Sequence, residues 1–98
     1  MSAIDFEWDA PKARDNLRKH GVSFVEAESV FSDDEALLAA DPDHSVDEDR
    51  FVLLGLSERL RILVVAHCYR RGDRTIRLIS ARKATAAERA QYEWRGTR

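Results

Sequence analysis

Cysteine occurs once in the 98 residues, at position 68, which excludes an intramolecular disulfide and any fold stapled by cross-links. Cys68 lies in an apolar stretch, so a buried inert thiol in a reducing compartment is expected rather than a nucleophile. Glycine is almost as scarce, at four, and proline occurs twice; neither a collagen-like chain nor a linker-rich one is built from so few. No apolar run approaches the roughly 18 residues of a membrane helix. The first residues, Met1-Ser2-Ala3-Ile4-Asp5, have neither the basic nor the apolar part of a secretion signal. A cytoplasmic protein with no membrane association is the expectation. The three histidines, His20, His44 and His67, lack ligand spacing and the acids are scattered, so neither a metal nor another cofactor is expected.

What the chain does contain is charge. Its hydrophobic fraction of 44% is ordinary and its charged fraction of 35% is high, the profile of one folded domain over residues 1–98. The net charge of −2 conceals a division between Glu58 and Arg59. Residues 1–58 carry 5 Lys/Arg and 15 Asp/Glu, whereas residues 59–98 carry 11 and 3. A basic second half favours a polyanionic partner, unless folding interleaves the two halves and cancels the field.

The hydrophobic pattern predicts the order β-α-α-β-β-β-α, a small antiparallel sheet with helices on one face and thus an α+β fold. Ile4, Phe6 and Trp8 alternate with acids as a half-buried strand does. Asp9 can cap a helix that runs to His20-Gly21, with Lys19 and His20 in its last turn, where cations also compensate the helix dipole. Ser23 and Glu26 have the spacing of a capping box for a second helix, over about 24–31. The run from Ser32 to Asp49 holds eight acids and no Lys or Arg, with a turn at Asp41-Pro42-Asp43 and a solvated His44. Leu37 and Leu38 can anchor a short strand or turn within it. Arg50–Leu56, Leu60–Tyr69 and Thr75–Ala81 read as a three-stranded meander, joined at Ser57-Glu58-Arg59 and at the arginine-rich turn Arg70–Arg74. Thr85 and Glu88 form a capping box for a last helix from about residue 86 to 95, ending near Gly96.

Residues i and i+2 of a strand share a face. On that parity Ile62, Val64, Ala66 and Cys68 should meet the helices, leaving Arg61, His67, Tyr69 and Arg77 on an open face. Ser80 and Arg82 join that group only if the chain bends near Ser80, in a basic turn Ser80–Lys83 that leads into the last helix. Such a face suits single-stranded RNA, with arginines on phosphates and an aromatic against a base. Metal-independent RNA cleavage attacks phosphorus with the neighbouring 2′-hydroxyl. It needs groups that take and give a proton and that stabilise added negative charge, roles suited to histidine and arginine. Arginines on strands also serve simply as surface ion-pair partners.

The order of motifs is more specific. Phe6-Glu7-Trp8-Asp9, Lys12-Ala13 with Asn16, Lys19-His20-Gly21-Val22-Ser23-Phe24 with Glu26-Ala27, Val30-Phe31, and Ile79-Ser80-Ala81-Arg82-Lys83-Ala84-Thr85 with Glu88-Arg89 and Tyr92-Glu93 together resemble the BrnT family. The resemblance implies a RelE-like ribonuclease fold and a toxin of a type II toxin-antitoxin module that blocks translation by cutting RNA. It also implies a BrnA-type ribbon-helix-helix antitoxin as partner, through which alone operator DNA would be bound. Carried to this sequence it covers Lys19, His20, Arg61, Arg77 and the stretch Ser80 to Lys83. The expected site has His20 or His67 as acid or base, Arg61, Arg77 and Arg82 as phosphate clamps, and Lys19 and Lys83 as further phosphate contacts. Ser80 is expected at the RNA-binding turn, bonding backbone rather than acting as a nucleophile. A non-catalytic module that binds protein or nucleic acid is the alternative. Direct DNA binding is disfavoured, because the basic residues do not line one face of a recognition helix.

Overall fold

The structure, a computed structural model, describes residues 4–41 and 49–95. Asp5–Glu7 forms β1, and Asp9 then caps α1 (Ala10–His20) by accepting from the Lys12 amide at 3.1 Å, with Pro11 in the first turn. Gly21 closes α1 at φ +70°, a left-handed conformation that costs glycine little, and its N–H returns to the Leu17 carbonyl. Ser23 caps α2 (Phe24–Ser29) by accepting from the Glu26 amide, and a single 3-10 turn, Val30–Ser32, follows. The chain continues as β2 (Leu37–Ala40), β3 (Phe51–Leu56), β4 (Ile62–Arg70), β5 (Thr75–Lys83) and α3 (Ala86–Trp94). Both halves of the expected capping box are present at Thr85 and Glu88. The turn at Asp41-Pro42-Asp43 beyond Asp41, His44 and Gly96 lie outside the described residues.

One five-stranded sheet has the order β1-β5-β4-β3-β2. The α+β expectation holds, with three differences of detail. Leu37–Ala40 is a full strand on the edge of β3, so a fourth strand precedes the arginine hairpin. β1 runs parallel to β5, which makes the sheet mixed. The third is that helices cover both faces. Val22, Phe24, Ala27 and Val30 pack with Leu53, Leu63, Val65, Ile76, Leu78 and Ala81 on one face, here the α1/α2 face. Tyr92 of α3 packs with Leu54, Val64 and Ala84 on the other. The central strand is apolar on both sides for this reason, and apolarity alone did not say which residues met which helix.

Two close contacts fix the helical layer. A Cβ on Gly55 would lie 2.8 Å from Val30 Cγ1 and 2.9 Å from Ala36 Cβ, so the 3-10 turn rests directly on β3 where a side chain is absent. Asn16, 7% exposed, donates to the carbonyls of Val22 (2.9 Å) and Ala81 (2.8 Å) and accepts from the Ala81 N–H (3.1 Å). It fastens α1 to β5 and to the turn at Val22. None of the described helices is long and apolar enough to cross a membrane.

Replacing Asn16 by alanine would leave two carbonyls and one N–H short of a partner in the interior. Asn16→Ala should lower stability by about 2–3 kcal/mol, measured as a shift of the urea midpoint with an unchanged slope. A loss under about 0.5 kcal/mol would show that water replaces the amide at no cost.

Candidate active site

β5 decides which cationic side chains can meet. It extends through Lys83, so the expected basic turn over Ser80–Lys83 is strand instead, and the turn into α3 comes at Ala84-Thr85. The register against β4 shifts between Ala66↔Ser80 and His67↔Leu78, leaving Ile79 as an extra residue, a β-bulge. Cys68 pairs with Arg77, Ala66 with Ser80 and Val64 with Arg82. The bulge thus puts Arg77, Ser80 and Arg82 on one face, which is the α3 face. Leu78, Ala81 and Lys83 fall on the α1/α2 face, opposite His67, Val65 and Leu63.

Arg61 and His67 are on that second face, separated by the sheet from Arg77. The expectation of a shared open face for Arg61, His67 and Arg77 is therefore corrected. Leu63, Val65 and His67 meet the helices, whereas Ile62 and Val64 face α3. His67 is wholly buried, ringed by Phe31 at 4.8 Å, Tyr69 at 5.3 Å and Phe51 at 6.2 Å. Its Nδ1 lies 3.1 Å from the Val65 carbonyl and its Nε2 3.3 Å from the Tyr69 hydroxyl. Burial pushes its pKa down, favouring the neutral ring. In that place His67 is a satisfied core residue, out of reach of an RNA phosphate.

The α1/α2 face does assemble a cationic end. Arg61 Nη2 donates to the carbonyl of Gly21 at 3.0 Å, the residue immediately after His20. Asn16 holds the same helix to Ala81, two residues before Lys83. Lys83 in turn pairs with Leu63, two residues beyond Arg61. The end of α1, which carries Lys19 and His20, thus lies near the start of β4, which carries Arg61, and the end of β5, which carries Lys83. His20 is half-buried and both lysines are exposed. Among the described residues neither lysine pairs with a carboxylate.

Arg61 does have one. Glu26, 2% exposed, accepts from Arg61 Nε at 2.9 Å and from the Ser57 hydroxyl at 2.7 Å through Oε2, and from Arg61 Nη2 through Oε1. The guanidinium holds the Glu26 carboxyl below its ordinary range, and the carboxylate raises the Arg61 pKa further. On the α3 face Arg77 donates to Glu7 at 3.0 Å and Arg71 to the same carboxylate at 2.9 Å. Arg82 forms a two-bond fork with Glu88 at 2.8 and 3.0 Å. That fork, with the Thr85 N–H, holds the Glu88 carboxyl at about 2, well below the ordinary 4.5. Ser80 is half-buried and makes no side-chain hydrogen bond among the described residues. A separate concavity of about 790 Å³ between β2 and α3, lined by Leu37, Leu38, Ala87, Ala90 and Trp94, holds none of the expected site residues.

Residues 8–88 match the model of a family described as "Ribonuclease toxin, BrnT, of type II toxin-antitoxin system". The chain belongs to the BrnT family. Its structure is similar to that of the Brucella abortus ribonuclease toxin BrnT, with a TM-score of 0.61 and 27% identity over 85% of this chain and 99% of that one. No functionally curated protein matches it. The BrnT architecture, a mixed sheet with three helices, is consistent with the RelE-like fold that the sequence implied. This protein is accordingly a member of a ribonuclease toxin family that works with antitoxins.

Three residues of this candidate site region are not singled out as functional by the sequence. Glu26 is visible there as a capping and motif residue, Asn16 as a motif residue and Ser57 as a turn residue. The available signal was that Glu26 sits on a helix whose apolar neighbours, Phe24 and Ala27, point inward, so its carboxylate had to be either exposed or matched by a cation.

The depressed pKa of Glu88 gives a test of the Arg82 fork. A group whose folded pKa lies below its unfolded value adds stability above the unfolded value, and that stability is lost as pH falls through the folded one. The difference in Tm between the parent and Glu88→Gln should be largest near neutrality and close as pH drops from 4.5 towards 2. A gap that stays constant over that interval would show that the fork contributes no net charge-dependent stability.

Proposed function

We propose that this BrnT-family protein is a metal-independent endoribonuclease that inhibits translation in the cytoplasm and is neutralised by a BrnA-type ribbon-helix-helix antitoxin. The observation that carries the reading is the hydrogen bond from Arg61 to the Gly21 carbonyl. It supports the reading because Gly21 directly follows His20, and because Lys19 in the last turn of α1 and Lys83 at the end of β5 have no carboxylate partner among the described residues. In this reading the RNA 2′-hydroxyl attacks the adjacent phosphorus and the 5′-oxygen leaves, giving a fragment that ends in phosphate. His20 takes the proton of the nucleophile or supplies one to the leaving oxygen, the general acid–base role to which an imidazole is suited. Arg61, Lys19 and Lys83 bind the phosphate and stabilise its added charge. Arg77 and Arg82, on the far face, serve as anchors for Glu7 and Glu88 and do not act on the same phosphate. Operator DNA is reached only through the antitoxin.

The competing reading, a non-catalytic binding module, draws on one observation. Arg61, Arg77 and Arg82 each already hold a carboxylate, as structural arginines do.

Cleavage of single-stranded RNA by the purified protein in excess chelator separates the two readings. The parent should cut at the same rate with and without EDTA, and His20→Ala should cut about 10²–10⁴-fold more slowly. Expression without the antitoxin should arrest growth with the parent and not with that variant. Parental rates from folded His20→Ala would remove the histidine from the mechanism, and an inert parent would leave the binding module.

A further inference from the structure

We propose that Glu26 is a positioning residue for RNA cleavage, holding the Arg61 guanidinium so that its Nη1 group alone is presented to the phosphate. The inference rests on the reading of Arg61 as a phosphate contact and extends it to a residue that would touch no substrate.

The first observation is what Glu26 gives up. It occupies the third position of α2, and its amide is bonded to the Ser23 hydroxyl, yet its carboxylate does not return to the Ser23 N–H. The local capping box is left half made, unlike the complete one at Thr85 and Glu88. Both Glu26 oxygens go instead to residues more than 30 positions away: Ser57 and the Nε of Arg61 on Oε2, the Nη2 of Arg61 on Oε1.

The second observation is which Arg61 donors this consumes. Nε and Nη2 are taken by Glu26, and Nη2 also by the Gly21 carbonyl at 3.0 Å. Nη1, with two N–H donors, has no partner among the described residues. The Arg61 side chain is 29% exposed and that of Glu26 2%, so the carboxylate forms the buried floor and the guanidinium the wall above it. An arginine with all its donors free could bind RNA in many poses. One fixed along two edges offers a single direction, which is what stabilising a transition state requires.

The third element is charge. An ionised carboxylate beside Arg61 offsets part of its attraction for phosphate in the ground state. Removing that charge while keeping a hydrogen-bonding side chain should loosen the guanidinium and strengthen its pull on any RNA. Rate and affinity then move in opposite directions, whereas a purely structural role for Glu26 would lower the amount of active protein and leave KM alone.

The test is steady-state cleavage of a single-stranded RNA oligonucleotide by Glu26→Gln, Arg61→Ala and the double variant, with circular dichroism to confirm folding. Glu26→Gln is expected to lower kcat by 10- to 100-fold with KM reduced, and to add less than a twofold loss when Arg61 is already alanine. Parental kcat in folded Glu26→Gln, an unchanged or raised KM, or losses that multiply in the double variant would overturn the proposal. Should Glu26→Gln fail to fold, Ser57→Ala carries the test: several-fold lower kcat that adds less than a twofold loss when Arg61 is already alanine supports the role, and parental kinetics or losses that multiply refute it. Impaired Arg61→Ala with unimpaired Glu26→Gln would remove only this proposal. Unimpaired Arg61→Ala would remove the reading of the site as well.

Discussion

A buried carboxylate bound to a half-buried guanidinium is the constraint on which the end of this molecule with the candidate site depends. Glu26 lies on α2, Arg61 at the start of β4, Ser57 in the turn before it and Gly21 at the end of α1, and one hydrogen-bonded group joins all four. Such a pair gives modest net stability, because both charges were well solvated before folding. Its effect is geometric. Removing one partner strands the other in a poorly solvated place, so the four segments keep one mutual arrangement.

The same accounting explains where the charge of the basic half goes. The sequence divides into an acidic first part and a basic second part, and the fold joins them strand to strand. Glu7 of β1 meets Arg71 and Arg77 from the arginine hairpin and its strand, and Glu26 meets Arg61. These contacts tie the parallel edge strand and the helical layer to the meander, and they offset part of the charge of the basic half. Among the described residues, Lys19 at the end of α1 and Lys83 at the end of β5 are cations without a carboxylate partner.

Much of the architecture was legible beforehand. Helix limits followed from Asp9, Gly21, Ser23 and Thr85, whose caps are local chemistry, and strand limits followed from apolar runs. The α1 end of the candidate site was legible through Lys19-His20-Gly21, because the motif and the capping glycine coincide. Assignment of faces was not. β4 is apolar on both sides, so parity could not tell Leu63 from Ile62, and His67 was sent outward when the aromatic cage of Phe31, Phe51 and Tyr69 draws it in. Nor does any residue type announce the extra position at Ile79, which depends on pairing with a partner strand. The Glu26–Arg61 pair was hidden because the two residues are distant in sequence and each had a sufficient local explanation.

The bulge at Ile79 turns residue count into a structural specification. Shortening β5 by one position there would rotate everything after it through half a turn about the strand axis. Ser80 and Arg82 would change places with Ala81 and Lys83, a methyl group would be sent out of the core, and the Arg82 side chain would be carried to the opposite side of the sheet from Glu88. Two relatives with identical letters and one gap at this point would present different cations to the same space, so the spacing between Arg77 and Lys83 conveys as much as the residues themselves.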